Sequence, residues 1–266
     1  MDPVTSMRQP EMEQPEAAVA ILHTREREES ILLMRRAERE GDSWSGHWSF
    51  PGGRRDPQDR DLLDTALREL AEECGIRLAR EHVEAALPLK LARRKEPPFI
   101  VVAPFVFRVE GQLATVLDPI EAAGAAWVPL RMLLDPTAHT LRPVPGRPRN
   151  MLFPAVDVGG TPLWGFTYRL ITFWLDQDPK LQAVERAGAD AAAAVLDFLR
   201  AQGLTLDRCW SDRAAVVRGA IPVDSVLQHF SKWENFLTGV NYLEVHPDRI
   251  RIAGLEWEEY WIRVNA

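Results

Sequence analysis

Three glutamates fall within one predicted helical turn of the segment from Phe50 to Ile76, and they constrain this chain more than any other feature. Glu69, Glu72 and Glu73 share one helix face, because positions i, i+3 and i+4 are neighbours at about 3.6 residues per turn. Like charges at this spacing repel each other and weaken an isolated helix. A divalent cation offsets the repulsion, since hard ions such as Mg²⁺ prefer clustered carboxylate oxygens. The segment therefore predicts a metal site.

The same segment also marks where its helix begins and ends. The double glycine at Gly52 and Gly53 predicts a tight turn, and a helix is predicted from about Asp61 to Cys74 with Gly75 as its C-terminal cap. An apolar stripe on another side of this helix would anchor it, so that its acidic face looks into a cleft. The alternative is a solvated acidic face, and the glycine turn and the cap in register count against it. The stripe consists of Leu63, Ala66, Leu67, Leu70 and Ala71.

The overall composition limits the classes of protein that fit. The 266 residues are 46% hydrophobic and 27% charged, which is typical of a globular chain with a substantial core. A net charge of −7 argues against a general partner of nucleic acids or acidic membranes. The most apolar run, Phe99 to Phe107, is far shorter than the roughly 20 residues of a membrane helix. With Cys74 and Cys209 as the only cysteines, a reducing cytoplasm is the expected location.

Hydrophobic periodicity predicts strands and helices along the whole chain. The predicted strands are Ala17–Arg25, Ser30–Ala37, Leu87–Arg94, Phe99–Glu110 and Ala125–Val128. A short helix is predicted at Leu130–Leu134, a loop-rich stretch at His139–Thr161 and a helix at Leu163–Leu175. Further on, the pattern predicts an alanine-rich helix at about Leu181–Gln202, a helix at Val223–Leu237 and a hairpin at Asn241–Ile252.

These elements suggest three parts of the chain. Residues 1–16 are expected to form a mobile tail, because they are polar and lack an apolar run. Residues 17–178 are expected to form the domain that carries the acidic helix. Residues 179–266, beyond the polar stretch Asp176 to Pro179, are expected to form an α+β extension of unknown role.

The segment from Arg68 to Ile76 resembles the second half of a Nudix box, whose pattern is Arg-Glu-U-x-Glu-Glu-x-Gly-U with U an aliphatic residue. Every specified position of that half matches. The resemblance covers roughly Ala17 to Asp176. It implies an α/β fold, a Nudix α/β/α sandwich with a mixed sheet.

The first half of the box departs from the family pattern. The family has a glutamate eight positions before the arginine, and Arg60 stands there in this chain. Gly53 likewise lies one residue upstream of its expected place. Asp59 and Asp61 flank Arg60, so either carboxylate is a candidate partner for Arg68.

The resemblance also implies an activity and roles for individual residues. It implies hydrolysis of a nucleoside diphosphate linked to another group, with Mg²⁺ or Mn²⁺ as cofactor. The implied metal ligands are Glu69, Glu72, Glu73 and the Gly52 carbonyl. Arg68 is expected to orient Glu69 through a charge-assisted pair. The general base is either Glu72 or Glu121, and Glu121 is alternatively a metal ligand.

Within the family, the chain is similar to the coenzyme A diphosphatase branch. Residues 32–37, Leu-Leu-Met-Arg-Arg-Ala, are similar to that branch's Leu-Leu-Thr-x-Arg-(Ser/Ala) signature, and residues 50–53, Phe-Pro-Gly-Gly, follow Gly46 at the branch's spacing. The branch has an arginine near position 41, whereas the nearest one here is Arg39. The implied substrate is coenzyme A or an acyl derivative, and the candidate phosphate-binding residues are Arg36, Arg54 and Arg55.

Two alternatives to this substrate stay open. One is another nucleoside diphosphate derivative, such as ADP-ribose, NADH or a dinucleotide. The other is a non-catalytic Nudix-fold ligand sensor with the C-terminal extension as its output module. The adjoining carboxylates weigh against the sensor, because a binding module has no need of three metal ligands. In each case the expected partner is a small nucleotide, and the family resemblance implies a homodimer.

Overall fold

The computed structural model describes residues 15–25, 28–41, 44–93, 100–176, 201, 205–211, 214–230, 240–254 and 259–265. Its contacts divide the chain into two compact units, Met1–Glu38 with Ser49–Trp127 and Arg39–Trp48 with Val128–Ala266. Most of the predicted N-terminal tail and the predicted alanine-rich helix lie outside the described residues. None of the described helices combines the length and the hydropathy that a membrane span requires.

A mixed sheet forms the first unit. Its strands are β1 (Ala17–Thr24), β2 (Ser30–Arg36), β3 (Trp48–Ser49), β4 (Gly52–Arg54), β5 (Val83–Ala86), β6 (Lys90–Arg93), β7 (Ile100–Val109) and β8 (Ala122–Pro129). The central order is β3-β2-β1-β7-β5, with β4 on β1, β6 on β7 and β8 on β2. Strand β1 runs parallel to β7 and antiparallel to β2 and β4. The predicted α/β class with a mixed sheet is confirmed.

The acidic helix, α1 (Leu62–Cys74), has the boundaries that the sequence predicts. At its start the Asp61 carboxylate accepts a hydrogen bond from Asp64 N at 3.0 Å, and at its end Gly75 adopts the left-handed conformation with φ 70°. Residues on one helix face pack against alternate residues of β1, as the 3.6-residue and two-residue periods require. The helix contributes Ala66, Leu70 and Cys74, and β1 contributes Ala18, Ala20 and Leu22.

Cys74 is fully buried in this interface. Burial raises the pKa of its thiol to about 12, so the reactive thiolate is suppressed at neutral pH. This environment makes Cys74 a packing residue. Its side chain helps to pack the helix against the sheet.

The loop-rich stretch predicted at His139–Thr161 is wrong, because most of it forms strands. The elements there are β9 (His139–Arg142), β10 (Met151–Val158) and β11 (Thr161–Trp164), followed by α3 (Gly165–Asp176). Pro154 lies inside β10, after the pairing with β14 (Val240–Val245) has ended at Leu152, and it is in register with Leu141 of β9. The helix α3 starts later than predicted because Leu163 and Trp164 complete β11.

The second unit contains its own sheet, with the order β11-β10-β14-β15-β16-β13-β12 and β9 on β10. Its remaining elements are α2 (Leu130–Leu133), β12 (Thr205–Ser211), β13 (Ala214–Pro222), α4 (Val223–Phe230), β15 (Arg249–Gly254) and β16 (Glu259–Asn265). The predicted hairpin is confirmed as β14 and β15. The predicted helix from Val223 begins there, and its residues beyond Phe230 lie outside the described part of the chain.

The contacts divide the chain after Trp127 and not near residue 178, where the sequence suggested a boundary. The reason is that Met151 and Leu152 of β10 pair with Glu244 and Leu243 of β14. Residues 128–176 thus share a sheet with the C-terminal part of the chain. Local composition, such as the polar stretch around Pro179, carries no information about a strand pairing over this distance.

The cap at Gly75 gives a stability prediction for the first unit. We expect Gly75→Ala to lower the free energy of unfolding by about 1–3 kcal/mol, because the new Cβ would meet Val116 Cβ and the left-handed backbone disfavours alanine. The measurement is urea denaturation together with hydrogen exchange of the α1 amides. The matched control is Gly124→Ala, whose Cβ would have no atom within 4 Å. Equal stability of the two variants would contradict the prediction.

Candidate functional site

Carboxylates line a cavity of about 480 Å³ in the first unit. Helix α1 contributes three of them, and the other two come from the segment that precedes β8. Strand β4 supplies the backbone at one wall, and the end of β2 supplies an arginine. The lining residues are Arg36, Gly52, Gly53, Glu69, Glu72, Glu73, Asp118 and Glu121. The structure thus brings together the three predicted glutamates, the predicted Gly52, Arg36 and Glu121.

The double glycine lets β4 lie directly between β1 and the acidic face of α1. A Cβ on Gly52 would stand 2.7 Å from Val19 Cα, and a Cβ on Gly53 would stand 2.6 Å from Glu69 Cδ. A side chain at Gly52 would collide with the β1 backbone, whereas one at Gly53 would displace the Glu69 carboxylate. With the backbone this close, Gly52 N donates a hydrogen bond to Glu73 Oε2 at 2.8 Å. The double glycine, predicted as a tight turn, instead forms the start of strand β4 and a wall of the cavity.

Glu73 is the most deeply buried acid of the cavity, with 2% of its surface exposed. Burial raises the pKa of its carboxyl to about 8, and the Gly52 N–H and the Arg36 charge offset only part of this effect. The nearby charges of Glu69 and Glu121 push the pKa further upward. Burial also raises the pKa of Glu69. The cavity thus concentrates more negative charge than the neighbouring protein groups neutralise.

The structure answers which acid pairs with Arg68. Its Nε and Nη2 atoms donate to Asp59 Oδ1 and Oδ2, both at 3.1 Å, in a bidentate pair. The Asp59 carboxylate also accepts hydrogen bonds from Thr65 Oγ1 and Asp56 N, each at 2.9 Å. The hydrogen bonds from Arg68 hold the pKa of Asp59 below its usual range. Asp59 is thus a buried, ionised anchor for the arginine.

Asp61, the other candidate, has a different task. Besides capping α1, its carboxylate accepts hydrogen bonds from Arg80 Nη1 at 3.1 Å and Nη2 at 2.6 Å. Arg60, at the position where the family pattern has a glutamate, pairs with Asp64 on the surface of the helix. The displacement of the acid by one residue is therefore compensated by the loop, which still delivers one carboxylate to Arg68.

Arg68 contacts two of the predicted metal ligands as well. Its Nη1 donates to Glu69 Oε1 at 2.9 Å and to Glu72 Oε2 at 2.8 Å. Its Nη2 additionally donates to the Arg54 carbonyl at 3.1 Å, which ties the helix to β4. One guanidinium therefore connects the loop acid, the strand and the acidic helix face.

The donor set fits a hard divalent cation. Five carboxylates line one cavity, and two of them have raised pKa values because burial leaves their charge poorly compensated. In the described part of the chain, no three His, Cys, Asp or Glu side chains already stand at the mutual spacing of a metal centre. The hydrogen bonds from Arg68 to Glu69 and Glu72 account for their present orientation. Both remain exposed to the cavity, which the cation would enter.

The three arginines predicted to bind phosphate differ in position. Arg36 lines the cavity. Arg55 Nη2 donates to the carbonyls of Asp59 at 3.0 Å and Arg60 at 2.9 Å, which stabilises the loop before α1. Arg54 has a 65% exposed side chain that lies 3.9 Å from the Glu16 carboxylate. Only Arg36 is therefore placed at the carboxylates.

Asp118 lines the cavity, although the sequence gave no reason to select it. Its carbonyl accepts hydrogen bonds from Glu121 N at 3.0 Å and Ala122 N at 2.8 Å, which fixes the turn that presents Glu121. The available signal was an Asp-Pro pair three residues before Glu121, typical of a turn. A lone Asp-Pro pair is too common to indicate a site.

The comparisons with known proteins identify the family of the chain. The model of the NUDIX domain matches residues 14–146, half of the chain. An uncharacterized protein of Schizosaccharomyces pombe is 36% identical over 114 residues, which are 41% of this chain and 35% of that protein. The mitochondrial coenzyme A diphosphatase NUDT8 of Mus musculus is 41% identical over 66 residues, 25% of this chain and 31% of the mouse protein. The chain thus spans about a third of the length of these relatives.

Among solved structures, the NUDIX domain of Shewanella oneidensis NrtR, complexed with ADP ribose, matches with a TM-score of 0.43 and 20% identity. The match covers 62% of this chain and 88% of that domain. A match this loose says nothing about ligands. The family model, together with a complete second half of the box on a capped helix beside a double glycine, shows that the chain belongs to the Nudix family.

Proposed function

We propose that the chain hydrolyses the diphosphate of coenzyme A or an acyl-coenzyme A, giving 3′,5′-ADP and phosphopantetheine or its acyl derivative. The observation that carries the hydrolase activity is the cavity lined by five carboxylates and Arg36. Two observations support the substrate. Arg36 belongs to the branch signature at residues 32–37, and the mouse relative that is 41% identical over 66 residues is a coenzyme A diphosphatase.

Each residue of the cavity has a part in this reaction. Glu69, Glu72, Glu73 and the Gly52 carbonyl would hold Mg²⁺ or Mn²⁺. When bound, the cation would neutralise diphosphate oxygens and lower the pKa of the attacking water. The water oxygen forms a bond to one phosphorus, the bond from that phosphorus to the bridging oxygen breaks, and the base accepts the proton of the water.

The side chains around the cation position the reactants. Arg36 would bind phosphate oxygens through parallel N–H donors of its guanidinium. The base is Glu72 or Glu121, since both line the cavity. Arg68 holds Glu69 and Glu72 against the charge repulsion within the cluster, and Asp59 holds Arg68. Asp59 acts through Arg68 and is a positioning residue.

A substrate panel tests the proposal. With Mg²⁺ or Mn²⁺, we expect kcat/KM for coenzyme A to exceed that for ADP-ribose, NADH and diadenosine tetraphosphate by at least about tenfold. Product release is measured by chromatography with mass detection of 3′,5′-ADP. A higher kcat/KM for ADP-ribose or NADH would show that this compound, and not coenzyme A, is the preferred substrate. Tight binding of one compound without turnover of any would favour a ligand sensor.

The buried glutamate gives a second prediction. We expect Glu73→Gln to lower kcat by at least about a hundredfold, because the neutral amide is a poor ligand for a hard cation. The fold should survive, since the amide oxygen still accepts the hydrogen bond from Gly52 N. Steady-state kinetics and circular dichroism provide the measurements, with Glu110→Gln at an exposed site as the control. Activity of Glu73→Gln within a few-fold of wild type would overturn the ligand assignment.

The two loop acids give a third prediction, with each serving as the control of the other. We expect Asp59→Asn to lower kcat and Mn²⁺ affinity by about tenfold to a hundredfold, because Arg68 loses its charged bidentate partner. Asp61→Asn should change both values by less than about threefold, since asparagine is an equally good N-cap. Kinetics and Mn²⁺ titration by electron paramagnetic resonance measure the effects. Equal effects of the two variants would contradict the assignment.

A further inference from the structure

Asp118 stands at the first position of a tight turn whose two ends, Asp118 and Glu121, both line the carboxylate cavity. Glu121 N donates to the Asp118 carbonyl at 3.0 Å, which is the hydrogen bond that closes a β-turn. The commonest type of β-turn favours aspartate at its first position and proline at its second, and Pro119 supplies the proline. The sequence of the turn therefore encodes its shape locally.

The side chain of Asp118 adds a further hydrogen bond within the turn. Its Oδ1 accepts from Ile120 N at 2.8 Å, and its carbonyl accepts a second bond from Ala122 N at 2.8 Å. An aspartate that accepts a hydrogen bond from the backbone two residues further on stabilises a turn. Three successive backbone amides, those of residues 120, 121 and 122, thus donate to one residue.

Both ends of the turn are bonded to elements that carry other residues of the cavity. Asp118 N donates to the Glu73 carbonyl at 3.4 Å, at the C-terminal end of α1. Ala37 N donates to the Glu121 carbonyl at 2.8 Å, one residue after Arg36. The turn therefore connects the backbone of an assigned metal ligand with the end of β2. A change in its shape would move Glu121 relative to both.

The position of Glu121 matters because its charge acts on the acids of α1. Glu121 raises the pKa of both Glu69 and Glu73, so its carboxylate lies within electrostatic reach of two assigned ligands. Displacing a group of an active site by about 1 Å can cost about a hundredfold in rate. Because Glu121 is exposed, close packing does little to hold its side chain, and the backbone of the turn sets where that side chain begins.

We propose that Asp118 is a positioning residue that sets the place of Glu121 in the site, an inference that rests on the proposed function. It acts through the hydrogen bonds that its carboxylate and its carbonyl accept, and it neither binds the cation nor takes part in the chemical step. This role is the same whether Glu121 is the base or a ligand. The charge of Asp118 is not required for it, because an amide oxygen can accept the same bond from Ile120 N.

A series of variants at position 118 separates the hydrogen bond from the charge. Asparagine, serine and alanine all remove the charge, but the amide oxygen still accepts the bond, the hydroxyl accepts it more weakly and alanine accepts none. We expect kcat to fall about ten- to thirtyfold in Asp118→Ala, less than about threefold in Asp118→Asn and by an intermediate factor in Asp118→Ser, with KM nearly unchanged. The measurement uses whichever compound of the substrate panel is hydrolysed.

Two further variants serve as controls. Asp135→Ala removes a matching bond in the second unit, which Asp135 Oδ1 accepts from Thr137 N at 2.9 Å, and it should change kcat by less than about twofold. In a Glu121→Gln background, Asp118→Ala should lower kcat by less than about a further twofold, because residues that act as a unit are not additive.

Two measurements without turnover separate this inference from the proposed function. In the metal-free protein, the Ile120 and Glu121 amides should exchange hydrogen at least about tenfold faster in Asp118→Ala than in Asp118→Asn. The Kd for Mn²⁺, measured by electron paramagnetic resonance, should be about three- to tenfold higher in Asp118→Ala than in Asp118→Asn, since the Glu121 charge is no longer held near the ligands. If wild type hydrolyses no compound of the panel, the proposed function fails, and these measurements still decide the role of Asp118.

Three results would overturn the inference. Equal losses in Asp118→Asn and Asp118→Ala would show that Asp118 acts through its charge. An undiminished effect of Asp118→Ala in the Glu121→Gln background would show that it does not act through Glu121. Wild-type kcat, exchange and Mn²⁺ binding in Asp118→Ala would show that the bond has no role. Should Asp118→Ala fail to fold, Asp118→Ser is compared with Asp118→Asn in its place.

Discussion

The hydrogen bond from Gly52 N to Glu73 joins strand β4 to helix α1, and it depends on the close approach of the β4 backbone to the helix. It requires glycine at position 52, since a Cβ there would collide with the β1 backbone, and a Cβ at position 53 would displace the Glu69 carboxylate. It also requires a fixed position of α1 on β1, which the packing of Ala66, Leu70 and Cys74 provides. Because these contacts are all local to one sheet face, the charged cluster rests directly on the hydrophobic core of the first unit.

Charge repulsion is the main cost of this arrangement. Five carboxylates share one cavity, and Glu73 is almost completely buried among them. The chain reduces the cost with the Arg68 guanidinium, which contacts Glu69 and Glu72 and is oriented by Asp59, and with the charge of Arg36 near Glu73. Repulsion that remains is useful in a cation site, because the binding of a divalent ion releases it. The same physics that weakens the empty helix would thus strengthen the proposed binding of a metal ion.

Much of the acidic helix and its cap could be predicted from the sequence, because their signals are local. Periodicity located α1, and Gly75 marked its end. Which acid pairs with Arg68 could not be predicted, since the loop spacing departs from the family pattern and both neighbours of Arg60 are aspartates. The three-dimensional path of the loop decides between them, and it places Asp59 inward beside Thr65. Asp118 was missed for a similar reason, because only the turn that it forms brings it to the cavity.

The pairing of β10 with β14 has a consequence for how the chain acquires its structure. Contacts between residues far apart in sequence form slowly, because the intervening chain must first lose entropy as a closed loop. During synthesis, residues 128–176 would leave the ribosome well before β14 is synthesised. Met151 and Leu152 of β10 would remain without their β14 partners during that time. Strand β7, the parallel partner of β1, is in contrast synthesised before residues 128–176. The first unit can therefore complete its sheet while the second is still being made, so the carboxylate cavity would precede the rest of the protein.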